Sequence, residues 1–149
     1  MVTTALRAML LVVVSVAPAV AGPDEPIVWP VVRYGWPEKL SVGLAIQPPL
    51  PRRWGLLLGT IAAGRGGMKG GVGIGTFGGN EMLGAALQLT VLHTGDHPVG
   101  APPHATYLGG EAEFMFGNIS FKAGPAFRVG DVSDVSRRMR FNFGVGYGF

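Results

Sequence analysis

Residues 139–149 read Met-Arg-Phe-Asn-Phe-Gly-Val-Gly-Tyr-Gly-Phe. Met139, Phe141, Phe143, Val145, Tyr147 and Phe149 are apolar, while Arg140, Asn142, Gly144, Gly146 and Gly148 are polar or lack a side chain. Successive strand side chains point to opposite faces, so this segment presents one apolar face and one polar or empty face. Two architectures accommodate it. In a soluble sandwich or barrel the apolar face turns inward. In a transmembrane barrel it turns out to lipid, and the polar face lines the lumen.

The same period runs through most of the chain, in segments of roughly ten residues separated by Gly, Pro, Asn and Asp. Leu40 to Gln47 sets Leu40, Val42, Leu44 and Ile46 against Ser41, Gly43, Ala45 and Gln47. Trp54 to Ala63 is apolar on both faces. Lys69 to Phe77 sets Val72, Ile74 and Thr76 against three glycines. Glu81 to His93, Tyr107 to Phe116 and Asn118 to Val129 alternate in the same way. These and the last segment make seven strands. Ile27 to Tyr34 supplies an eighth, although Pro30 interrupts it and proline belongs at strand edges or bulges. Bacterial single-chain barrels have an even strand number. With eight strands both termini fall on one side, together with the tight Gly117-Asn118 turn, and the long 93–104 connection falls on the other.

Gly117-Asn118 is a two-residue hairpin signal, and it fixes a register in which paired numbers sum to 235. Phe116 then opposes Ile119 and Phe114 opposes Phe121 on the apolar side. Glu113 opposes Lys122 and Tyr107 opposes Arg128 on the polar side. Opposite charges meeting across strands is not guaranteed by the turn, and it supports the pairing. By alternation Glu111, Arg138 and Arg140 share that face. Glu111, Glu113, Lys122, Arg128, Arg138 and Arg140 therefore form the expected lumen charge network, with Glu113–Lys122 as a coupled pair. Enclosed charges must be paired or watered, and glycines on the same face leave space for long side chains.

The chain begins with one Arg, an apolar run from Ala8 to Val16, and Ala19-Val20-Ala21. That is the layout of a secretory signal peptide with a small-x-small cleavage site. The run is shorter than the roughly 20 residues needed to span a bilayer. The expected organisation is a signal peptide over 1–21, a lead-in over 22–38 that can hold a first strand, and a barrel over 39–149. Removing 1–21 takes away Arg7 alone, so the formal charge falls from +3 to +2. That balance is too weak to argue for nucleic acid. There is no cysteine, which excludes disulfides, thiolate catalysis, Cys-ligated metal and an N-terminal lipid anchor. Glycine makes up 25 of 149 residues, against a usual share of about 7%. A mean hydropathy of +0.35 is too high for disorder, and the glycines lack the three-residue period of collagen.

The terminal segment, ending on Tyr147 and Phe149, resembles the C-terminal strand of bacterial outer-membrane β-barrels, which typically ends in Phe. The resemblance covers one strand. It implies that Phe149 and Tyr147 act as an assembly signal read by the barrel-assembly machinery. It also implies periplasmic chaperones as transient partners and outer-membrane lipid as the surroundings.

Several chemical signals weigh less. Gly73-Ile-Gly75-Thr-Phe-Gly78 matches a dinucleotide-binding turn, but no βαβ unit surrounds it. His93, Asp96, His97 and His104 are of metal-ligand type, yet they sit in or beside a loop with three prolines and two glycines that reads as solvated. Ser120, Ser133 and Ser136 could join these histidines in a triad, but no Gly-x-Ser-x-Gly elbow supports one. Glu111 and Glu113, about 7 Å apart along a strand, could act as a glycosidase-like pair, but Lys122 opposite Glu113 favours a salt bridge. Trp29, Tyr34, Trp36, Trp54, Tyr107, Tyr147 and Phe149 lie mostly near strand ends, where an interfacial girdle needs amphipathic rings.

The sequence therefore predicts an all-β fold, an antiparallel up-and-down transmembrane β-barrel of eight strands. It predicts an exported outer-membrane protein, not an enzyme, with no cofactor and no catalytic or metal site, acting structurally or through its loops. The alternative is a soluble, lipocalin-like barrel that binds an apolar ligand. The direction in which the apolar face points discriminates between the two.

Overall fold

The computed structural model describes residues 26–48, 56–78, 83–130 and 138–148. Eight strands run in chain order: β1 (Ile27–Trp36), β2 (Lys39–Gln47), β3 (Leu56–Gly64), β4 (Gly67–Gly78), β5 (Leu83–Thr94), β6 (Thr106–Phe116), β7 (Ile119–Arg128) and β8 (Met139–Gly148). Each pairs antiparallel with its sequence neighbours, and β8 pairs with β1, closing an up-and-down barrel. Closure pairs β1 with β8, the two strands that would be the edges of an open sheet. The lead-in thus supplies the first strand, so the barrel begins at Ile27 and not at residue 39.

Pro30 is tolerated for a local reason. The β1–β8 register runs from Val31 to Trp36, while β1 pairs with β2 from Ile27 to Gly35. Pro30 therefore lies where only β2 is a neighbour among the described residues, a place where a missing N–H is least costly. The Gly117-Asn118 hairpin forms as the sequence predicts. Gly117 adopts φ 55°, the positive value that the first central residue of a type II′ turn requires. Tyr107 pairs with Arg128, Glu113 with Lys122 and Phe116 with Ile119.

The paired residues can be traced once round the barrel from Val31 through Gly43, Ala62, Lys69, Leu92 and Tyr107 to Arg128 and Arg138. Continuing along the β8–β1 register returns to β1 ten residues further on, a shear number of 10. With standard strand spacings this tilts the strands by about 40° and leaves an interior wide enough for side chains alone.

The start of β1 and the end of β8 share one end with the 117–118 turn and the 48–55 and 79–82 connections. The opposite end carries the 37–38 and 65–66 turns and the two longest connections, 95–105 and 129–138. Loop length is thus only partly segregated, because a connection of intermediate length, 48–55, joins the terminal end. The Gly73–Gly78 stretch lies within β4, so it makes no strand-to-helix turn for phosphates.

The two faces are inverted relative to a soluble protein. Outward positions carry Leu83, Leu87, Leu89 and Val91 on β5, Phe114 and Phe116 on β6, Phe121 and Phe127 on β7, and Phe141, Phe143, Val145 and Tyr147 on β8, all exposed. Leu89, at 72% exposure, is the extreme. Arg33, Glu38, Lys69, Glu111, Glu113 and Lys122 are buried inside, each at 5% exposure or less.

Candidate functional site

The lumen is layered along its axis. Toward the terminal end, Val31, Ala45, Leu58 and Ala86 form an apolar layer, with Trp29 and Met115 packed against it. Toward the long-loop end, Leu92, Ala105, Tyr107 and Ala126 form a second. Between them lies the charged network. This layering follows from each strand's inward positions: β5 runs inward through Ala86, Gln88, Thr90, Leu92 and Thr94.

Lys69 on β4 is the hub. Its Nζ donates to Glu111 Oε1 at 2.8 Å and Oε2 at 3.1 Å, and to Glu38 Oε2 at 3.2 Å. Glu38 Oε1 lies 3.1 Å from the same Nζ, but only Oε2 has hydrogen-bond geometry toward it. Lys122 donates to Glu38 at 3.4 Å and stands 3.8 Å from Glu111. Asn142 Nδ2 adds a donor to Glu111 at 3.3 Å. A second branch begins at Glu113, which accepts from Arg33 Nη2 at 3.2 Å and from Gln88 Nε2 at 2.7 Å. Thr60 Oγ1 donates in turn to Gln88 Oε1 at 3.0 Å. Three cations and three carboxylates share the enclosed space and cancel, the condition under which buried charge is tolerated.

Of the expected network, Glu111, Glu113 and Lys122 are central. Glu113 and Lys122 are register partners on the inward face, but the ion pair between them does not form. Lys122 reaches Glu38 and Glu111, and Glu113 is taken by Arg33. In a tilted barrel the space across the lumen brings distant strands as close as adjacent ones, so cross-strand register alone does not choose the partner. Among the described residues no ion pair joins Arg128 or Arg140 to the glutamates. Arg128 and Arg140 are half-buried near the long-loop end, and Arg138 is exposed there. Arg33, Glu38, Lys69, Gln88, Thr60 and Asn142 are members that the sequence reading did not assign. Phe149 lies outside the described residues, as do residues 1–25, Trp54, Ser133 and Ser136. Tyr147, the other half of the expected assembly signal, is exposed on the outward face of β8.

Glycine spaces the long side chains. A Cβ on Gly144 would stand 3.1 Å from Lys122 Cε, and one on Gly146 would stand 2.6 Å from Ser120 Oγ and 3.1 Å from Arg33 Cγ. Gly146→Val should therefore displace Arg33 from Glu113 and cost about 1–3 kcal/mol through overpacking. Urea unfolding of the refolded variant checks this, and unchanged stability would mean that the lumen holds more slack than these contacts imply.

The 95–105 loop keeps Asp96, His97 and His104 exposed, as the solvated reading expects, while hydrogen bonds anchor its ends and middle to the barrel. Thr94 is fully buried, and its hydroxyl bonds to Pro102 O at 2.7 Å and accepts from Ala105 N at 2.8 Å. Val99 N donates to Pro37 O, and Gly95 N donates to Gly66 O. At φ 60° Gly100 lies against the Trp36 ring, where a Cβ would meet Nε1 at 2.7 Å. The loop is thus drawn over the barrel mouth onto the 37–38 and 65–66 turns. His104 Nε2 and Asp96 form an exposed pair at 3.2 Å, while His93 bonds Thr106 at 3.0 Å. No group of three metal-ligating side chains gathers among the described residues. Tyr34, Trp36 and Tyr147 face outward near strand ends, whereas Trp29 and Tyr107 belong to the lumen layers. No family model, curated protein or solved structure matches the chain.

Proposed function

We propose that this protein is an outer-membrane β-barrel whose filled lumen is structural and whose loops at the 95–105 end make its external contacts. One observation carries the reading: a belt of exposed Leu, Val, Ile and Phe surrounds a lumen holding six buried charges. Water would favour the opposite arrangement, since large contiguous apolar patches are rare on soluble monomers. A soluble apolar-ligand carrier would need apolar residues inward and charges outward. Strands of about ten residues tilted by about 40° rise about 25 Å, the height of the apolar band of outer-membrane barrels. Tyr34, Trp36 and Tyr147 supply outward amphipathic rings for its borders. Lipid is then the surrounding partner, and the aromatic face of β8 is what the assembly machinery meets. Lysine, glutamate and arginine side chains occupy the lumen, so a wide pore is not part of the function.

Separation of the producing cells into inner membrane, outer membrane and periplasm tests this. The protein is expected in the outer membrane with heat-modifiable gel mobility, and with a mature chain starting near Gly22 by intact mass. Recovery in the periplasm, or in an inner-membrane fraction with residues 1–21 retained, would overturn the reading.

A further inference from the structure

The six buried charges cancel, which leaves the arginines of β7 and β8 without a role in that network. Arg128 ends β7 and follows Lys122, Gly124 and Ala126 on the inward face. Its cross-strand partner on β6 is Tyr107, and its backbone N–H donates to the carbonyl of Arg138, the residue just before β8, at 2.7 Å. Arg140, two residues further into the barrel, pairs with Ala126. Both residues are half-buried, and neither side chain has an ion-pair or hydrogen-bond partner among the described residues. The Nε of Arg140 is buried and unpartnered.

Tyr107 supplies an independent observation. It is 1% exposed, it packs in the layer with Leu92, Ala105 and Ala126, and its buried hydroxyl has no partner. Ala126 is the register neighbour of Arg140, so the tyrosine packs beside the arginine's position. Three adjacent strands thus carry Arg128, Arg140 and Tyr107 inward toward the long-loop end of the lumen, each without a side-chain partner among the described residues.

Two neighbouring half-buried cations that no described carboxylate pairs repel each other and lose part of their hydration. Guanidinium can only donate hydrogen bonds and phenol can donate one, so the complement is a negatively charged multiple acceptor. Arginine's planar fork fits carboxylate and phosphate. Donors converging from three strands suit a tetrahedral group better than a planar one. We propose that Arg128, Arg140 and Tyr107 form a binding site for a phosphate monoester group at this mouth, carried by a soluble ester or by a lipid headgroup. The site follows from the barrel geometry and stands whether or not the barrel resides in a membrane.

The test is calorimetric titration of the full-length protein in a non-ionic maltoside at low ionic strength. Glycerol phosphate serves as the soluble arm, and phosphatidic acid carried in the micelle as the lipid arm. Saturable binding is expected in at least one arm, and the stronger arm identifies the carrier. Arg128→Gln and Arg140→Gln should each weaken binding by about tenfold or more, as loss of a charge-assisted contact does. Tyr107→Phe should weaken it severalfold. Arg65→Gln, which removes an exposed arginine from the β3–β4 turn at the same end, should stay within about twofold of wild type if the effect is local rather than general charge. Absence of saturable binding in both arms overturns the proposal. So does an Arg65→Gln loss equal to that of Arg128→Gln. Folding is checked by heat-modifiable mobility, and if Arg140→Gln does not fold, Arg128→Gln and Tyr107→Phe decide the matter alone.

Discussion

Lys69→Met is expected to lower the free energy of unfolding by about 3–5 kcal/mol, the range for removing one partner from a buried ion pair. Lys69 is the short-range partner of both Glu111, at 2.8 Å, and Glu38, at 3.1 Å. Without it the inner network keeps two cations against three carboxylates. Lys122, at 3.4 Å from Glu38 and 3.8 Å from Glu111, must then serve both acids. The cost comes mainly from the stranded carboxylates and not from the lost contact, because an unpaired charge in a dry interior is the expensive species. Adding Glu38→Gln to Lys69→Met restores equal numbers of cations and anions. The double variant should therefore be less destabilised than the two single changes summed. Urea unfolding of all three variants in lipid or detergent, followed by tryptophan fluorescence, measures the cycle. A single-variant cost below about 1 kcal/mol, or strict additivity, would mean that water screens the lumen and that the three carboxylates are not held as one unit.

Much of this architecture is written in the sequence at period two. Every strand was visible as an alternating or apolar run, and the ends differ by only a few residues. The Gly117-Asn118 turn fixed the β6–β7 register because a two-residue turn leaves no freedom in the pairing. The inward direction of Glu111, Glu113 and Lys122 followed from alternation alone. What alternation cannot provide is distance across the lumen. Arg33 and Glu113 are 80 residues apart in the chain, and only barrel closure with its shear brings them together. Glu38 was hidden for a different reason: it lies in a turn, where no face is defined, and the turn folds inward. Lys69 was legible but unread, since it shares the face of Gly71, Gly73 and Gly75 at the start of β4. Arg128 and Arg140 share the inward face by alternation, but no ion pair joins them to the glutamates among the described residues. Alternation says which side a residue faces, while position along the axis decides what it meets, and Arg128 and Arg140 lie toward the long-loop end, away from the layer of Lys69 and Lys122.

Leu89→Arg separates a lipid-facing belt from an apolar surface in water. Leu89 lies in the middle of β5, points outward and is 72% exposed. Its register neighbours are Val72 on β4 and Gly110 on β6. In a bilayer this position sits near the midplane, where arginine in a transmembrane barrel costs about 2–4 kcal/mol. On a water-exposed strand the same change makes no buried contact and leaves nothing unpaired, so it should fall within about 0.5 kcal/mol of zero. Depth provides the internal control. Ile119 also faces outward but opens β7 beside the Gly117-Asn118 turn, and an arginine there should cost only about 0–1 kcal/mol because it can reach the interface. The measurement is reversible urea unfolding in lipid vesicles of wild type, Leu89→Arg and Ile119→Arg. A cost that rises from the strand end to its middle is the signature of a hydrocarbon core. Equal and negligible costs at both positions would show that the outward face does not contact lipid, and the barrel would have to bury its belt against protein instead.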